Sequence, residues 1–145
     1  MTSETAKYTM EEVTERLGIT ARTLHYYEEI GLLPAVTRSE GRHRLFDEAM
    51  LQRIEHILKL KQVLGASLVE IREIMQAEEE LDRIRATYYG DGASDEEKDR
   101  LLDEAALRLQ EIITHIDDKL VKLSTLRQGF SDRLERATRL KHRSE

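Results

Sequence analysis

Residues 9–46 read TMEEVTERLGITARTLHYYEEIGLLPAVTRSEGRHRLF. The stretch divides into four pieces. Thr9 is a good helix N-cap and Glu12 stands three residues on, a capping box for a first short helix to Leu17. Met10, Val13 and Leu17 fall on one helical face, and Gly18 supplies the left-handed exit. A second helix is predicted from the Thr20 cap to about Ile30, with Leu24 and Tyr27 turned inward. Gly31 stops it and Pro34 keeps it from resuming. Two short helices around a tight glycine turn make a helix-turn-helix. Residues 35–46 then predict a hairpin with Ser39, Glu40 and Gly41 at its bend, crowded by Arg38, Arg42 and Arg44. Cations on a hairpin next to such a motif suit phosphate contact.

Downstream, Asp47 predicts the cap of a helix to about Leu64, with Met50, Ile54, Ile57 and Leu58 buried. Gly65 ends it. Ser67 and Glu70 make a second capping box, opening a helix in which Leu68, Ile71 and Met75 point inward. These two helices should complete one small core with the helix-turn-helix. Residues 78–89 suit a helical extension, and Gly90-Asp91-Gly92-Ala93 reads as a break. Ser94 and Glu97 form a third capping box. The long helix behind it places Leu102, Ala106, Leu109, Ile113, Ile116, Leu120 and Leu123 at alternating spacings of four and three, the a/d seam of a coiled coil. Arg127 interrupts the seam before Phe130 and Leu134. A basic tail with Arg133, Arg136, Arg139, Lys141 and Arg143 is expected to fray, and residues 1–8 read as a loose arm. With the earlier helices committed to the core, the seam has no partner left in this chain, so it predicts a homodimer.

The resemblance that emerges lies in residues 20–33, TARTLHYYEEIGLL, and in the wing 38–46, RSEGRHRLF. Both are similar to the recognition helix and wing of the MerR family of bacterial transcription regulators. The likeness continues through residues 65–71, GASLVEI. Two departures stand out. The family often has Asn-Gly-Tyr-Arg-x-Tyr where this chain has Gly-Arg-His-Arg-Leu-Phe, and an arginine where this chain has His25. The resemblance implies a homodimer with antiparallel dimerisation helices. It also implies sequence-specific binding to double-stranded promoter DNA and distortion of an over-long promoter spacer, through which RNA polymerase is engaged indirectly.

The fold class expected is therefore mainly α: a winged helix-turn-helix with a small two-stranded wing, then a long dimerising coiled-coil helix. The domains expected are 1–77 for DNA binding, 78–95 as linker, and 96–145 for dimerisation and the basic tail. The DNA-binding residues expected are Thr20, Arg22, Thr23, His25 and Tyr26 on the second helix and Arg38, Arg42, His43 and Arg44 on the wing. Arg22 and Thr23 lie in the first turn, which enters the major groove in this docking mode. Tyr26 and Tyr27 point about 100° apart on a helix, so Tyr27 is assigned to the core and Tyr26 to DNA. Leu102, Leu109, Ile113, Ile116, Leu120 and Leu123 are assigned to dimerisation. Tyr88 and Tyr89, beside the break, mark a possible effector cleft; their bland alternative is packing of the linker alone.

Bulk properties narrow the field. The net charge of −6 has the wrong sign for indiscriminate nucleic-acid binding, so the basic wing must act locally against acidic runs elsewhere. Absence of cysteine excludes a disulfide, a thiolate metal site and a thiol sensor. The five histidines, His25, His43, His56, His115 and His142, show no ligand spacing, so neither metal nor cofactor is expected. No apolar run predicts a membrane span, and a cytoplasmic protein is expected. No nucleophile–base pair or phosphate loop predicts an enzyme. The rival reading is a coiled-coil adaptor whose winged domain binds protein. The signal is open: a small molecule, a protein partner or no effector.

Overall fold

A computed structural model describes residues 7–34, 37–38 and 44–143. The elements are β1 (Lys7–Thr9), α1 (Met10–Leu17), α2 (Ala21–Glu29), β2 (Thr37–Arg38), β3 (Arg44–Asp47), α3 (Glu48–Lys59), α4 (Leu68–Tyr89) and α5 (Asp95–Arg143). A π-helical turn, Leu60–Leu64, follows α3. The mainly α architecture with a small sheet and a long C-terminal helix is the one expected. The chain forms two compact units, Met1–Arg72 and Glu73–Glu145.

In the first unit the caps form as the sequence dictates. The Thr9 hydroxyl accepts from the Glu12 N–H, and the Glu12 carboxylate accepts from the Thr9 N–H. Gly18 exits α1 at φ 67°, where a side chain would be strained, and its N–H reaches the Thr14 carbonyl at 2.9 Å. Asp47 caps α3 by accepting from the Met50 N–H at 2.8 Å. Val13, Leu24, Tyr27, Phe46, Ile54, Ile57 and Ile71 are buried. Leu51 is buried where Leu58 was expected, and Leu58 is half-buried. The Arg53 Nε donates to the Leu32 carbonyl at 2.7 Å, tying α3 to the turn after α2.

The expected loose arm needs correction. Lys7–Thr9 is a strand, and the sheet has three strands in the order β1-β3-β2. Tyr8 pairs with Phe46 across an antiparallel ladder. Its hydroxyl donates to Glu48 Oε2 at 2.8 Å, and the Arg16 guanidinium lies 5.6 Å from its ring centre. These contacts hold the segment that composition alone assigned to coil. The α3 helix also differs: its regular turns end at Lys59, and the π turn carries the chain to Gly65.

The Tyr27 hydroxyl is buried without a hydrogen-bond partner among the described residues. Burial raises the phenol above 10.0. Its contribution to stability is intact below pH 10.0 and is lost as pH climbs from there through the raised value. Tyr27→Phe should stabilise the protein by about 1 kcal/mol, since it removes an unsatisfied buried hydroxyl. It should also flatten the alkaline loss in denaturant titrations run at neutral and high pH.

In the second unit α4 runs unbroken to Tyr89, so most of the expected linker is helical. Gly92, at φ 102°, turns the chain, and the Ser94 hydroxyl accepts from the Glu97 N–H to start α5. From its start at Asp95, α5 returns alongside α4. His115 Nε2 lies 3.1 Å from Glu73 Oε2, and Lys98 Nζ lies 5.4 Å from the centre of the Tyr88 ring. Leu101, Ala105, Arg108, Ile112 and His115 are half-buried on the α5 face toward α4. This corrects the expectation that α5 finds no partner in its own chain. The seam read from the sequence, Leu102 to Leu123, lies on a neighbouring face and stays exposed. The basic tail continues α5 as helix to Arg143.

Candidate nucleic-acid interface

Thr20 caps α2 in an extended conformation, and its hydroxyl accepts from the Thr23 N–H at 3.1 Å. The two threonine hydroxyls lie 2.9 Å apart. This cap fixes the first turn and presents Arg22 to solvent. The amino end of α2 also carries the positive pole of the helix dipole, which favours phosphate. One turn on, Tyr26 is 43% exposed while Tyr27 is 2% exposed, so only Tyr26 can meet a ligand outside the fold. His25 Nε2 sits 3.1 Å from Glu29 Oε1, a local pairing that sequence reading missed although the residues stand four apart. That carboxylate holds the imidazole against the helix surface.

The sheet positions the wing. Antiparallel pairing sets Thr37 opposite Leu45 and Arg38 opposite Arg44. The second pair is the register expected for the two arginines. Phe46, two residues beyond Arg44, is fully buried and fixes the end of β3 in the core. The expected bend at Ser39, Glu40 and Gly41, together with Arg42 and His43, lies outside the described residues.

Elsewhere, Leu102, Leu109, Ile113, Ile116, Leu120 and Leu123 are exposed along one side of α5. Tyr88 and Tyr89 meet edge to face with ring centres 5.0 Å apart, beside a cavity of about 500 Å³ that Ile84 and Leu102 also line. A second cavity between α4 and α5, about 610 Å³, is lined by Glu73, Glu80, Arg108, Glu111 and His115. Among the described residues no group of three metal-ligating side chains gathers, and no helix is long and apolar enough to cross a membrane. The α4-facing stripe of α5 was missed by the sequence reading. Its signal is present: Leu101, Ala105, Arg108, Ile112 and His115 repeat at the seam's own four–three spacing, one residue out of phase.

A capped, solvent-facing second helix beside an arginine-bearing antiparallel sheet defines a winged helix-turn-helix DNA-binding protein. Residues 8–78 match the family model for the MerR HTH family of regulatory proteins. The chain is 33% identical over 135 residues to the HTH-type transcriptional regulator YfmP of Bacillus subtilis, covering 88% of this chain and 93% of that one. It is 51% identical over 65 residues to the nodulation protein NolA of Bradyrhizobium diazoefficiens, covering 45% of this chain and 27% of that protein. Among solved structures it is similar to that of HiNmlR, a MerR family regulator lacking the sensor domain, bound to promoter DNA. That similarity has a TM-score of 0.45 and 30% identity, and covers 79% of each chain. The chain belongs to the MerR family of helix-turn-helix regulatory proteins. Membership favours the DNA-binding regulator over the protein-binding adaptor.

Proposed function

We propose that this protein is a cytoplasmic, homodimeric transcription regulator that grips double-stranded promoter DNA at two half-sites and distorts the spacer between them. RNA polymerase is then engaged indirectly, through the reshaped promoter. The observation that carries the reading is the pairing of a capped, exposed α2 amino end with a wing whose register sets Arg38 opposite Arg44. Residues 1–77 act as the DNA-binding domain, 78–95 as the linker and 96–145 as the dimerisation element. Arg22, Thr23, His25 and Tyr26 enter or border the major groove, and Thr20 stands at its edge. Arg38, Arg42, His43 and Arg44 hold phosphate. Leu102, Leu109, Ile113, Ile116, Leu120 and Leu123 form the dimer seam, and a small-molecule effector, where one acts, sits against Tyr88 and Tyr89.

Phosphate contacts position a protein, while base contacts specify the sequence. Arg44→Ala should therefore weaken binding to operator and to unrelated duplex alike. One lost phosphate contact per subunit is two per dimer, so the slope of log K against log salt should fall by about 2. Arg22→Ala should relax preference at one symmetric base-pair position, at about 1–3 kcal/mol per half-site. Fluorescence anisotropy across a salt series, with operator variants, measures both. An Arg44→Ala protein with an unchanged slope and an altered sequence preference would refute this division of labour.

A further inference from the structure

The Tyr88–Tyr89 cavity is open on the side where Leu102 leaves it. Leu102 lines that cavity and is also the first residue of the exposed seam. The charges on α5 say how a second copy meets that seam. Residues 95–104 carry six carboxylates against Lys98 and Arg100. Residues 127–143 carry six Lys and Arg side chains against Asp132 and Glu135. Parallel pairing would set acid on acid and base on base; antiparallel pairing sets acid on base.

The register follows from the same residues. With Ile116 opposite the partner's Leu120, Asp95 meets the partner's Lys141, Glu97 the partner's Arg139 and Asp103 the partner's Arg133. The large Phe130 ring then meets the partner's Ala106. Arg127 falls opposite the partner's Leu109, where its aliphatic stem can cover the leucine while the guanidinium reaches solvent. Sliding the partner by one heptad either way removes all three charge pairs. In this register Leu102 meets the partner's Leu134.

Resting on the dimer proposed above, we infer that the partner's Leu134 forms the missing wall of the Tyr88–Tyr89 cavity, and that the completed site takes a planar apolar compound. The lining is apolar and aromatic: Leu81, Ile84, Tyr88, Tyr89, Leu102 and Ala105. At about 500 Å³ it lies in the range of small-molecule sites. Arg85 on the lining and Lys98 over the Tyr88 ring favour an acidic substituent.

The test uses the full chain, which has no native cysteine to confuse a cross-link. Oxidised L102C/L134C should run as a covalent dimer, and neither single variant should. Cross-linking of L102C alone would mean parallel pairing and overturn the register. Anilinonaphthalene sulfonate should bind the wild-type dimer and brighten. Its affinity should fall about tenfold in Leu134→Ala, from the lost apolar contact, and also in Tyr88→Ala. Both variants are assayed at concentrations where sedimentation shows a dimer. Undiminished binding by Leu134→Ala overturns the shared wall, and absence of probe binding to wild type overturns the site. A monomer in sedimentation at every concentration would instead remove the dimer itself, and the inference with it.

Discussion

Ile116→Asp should convert the protein to a monomer that keeps its helical content but loses its operator. Ile116 is 42% exposed in the single chain, so the substitution leaves the α4–α5 hairpin intact. In the proposed seam it would set a carboxylate among leucines and isoleucines, at several kcal/mol for each unpaired charge, a cost of order 2–7 kcal/mol or more. Sedimentation velocity reads the assembly directly. Operator affinity should then fall by about 10²–10⁴-fold, because each half-site binds without the tether of the other. A variant that remains dimeric would remove the seam assignment, and a monomer with full affinity would remove the two-half-site model.

The second large effect is expected at Phe46. Its ring is fully buried at the end of β3, and its backbone pairs with Tyr8. Truncation leaves a cavity at the junction of sheet and helices. Phe46→Ala should cost about 3–5 kcal/mol, against a total stability of about 5–15 kcal/mol for a typical domain. Urea titration should show the midpoint falling with the slope unchanged. DNA binding should fail at temperatures where wild type is fully bound, since the wing strand loses its anchor. A loss below about 1 kcal/mol would mean that the site collapses without harm, and that the wing is held by other contacts.

Much of the first unit was legible because local rules and burial agree there. Thr9 and Glu12, Gly18, Thr20 and Asp47 each do locally what their chemistry dictates, and the apolar residues between them have one consistent inside. Lys7 and Tyr8 were illegible as strand because three residues carry no periodicity. Their pairing depends on β3, which is distant in sequence, and on the Tyr8–Glu48 hydrogen bond. The second unit was half legible. The break near Gly92 and the exposed stripe of α5 followed from turn chemistry and spacing. The α4–α5 hairpin was hidden because two heptad stripes share one helix, and the polar members Arg108 and His115 disguise the inward one. His115 looked like a surface residue until Glu73 came within 3.1 Å of it. In the candidate interface, spacing identified Tyr27 as core and Tyr26 as exposed. It gave no hint that Glu29 would hold His25.

The opposed charges at the two ends of α5 have a consequence for measurement. If those ends attract across the dimer, added salt loosens the protein from itself as well as from DNA. The ionic strength that strips counterions back onto phosphate also splits the molecule that bridges two half-sites. A titration at protein concentrations near the dimer's own dissociation constant would then fold subunit exchange into its slope and overcount phosphates. Repeated on the covalently closed L102C/L134C dimer, the same titration should give a shallower line, and the difference between the two slopes is the ionic share of self-association.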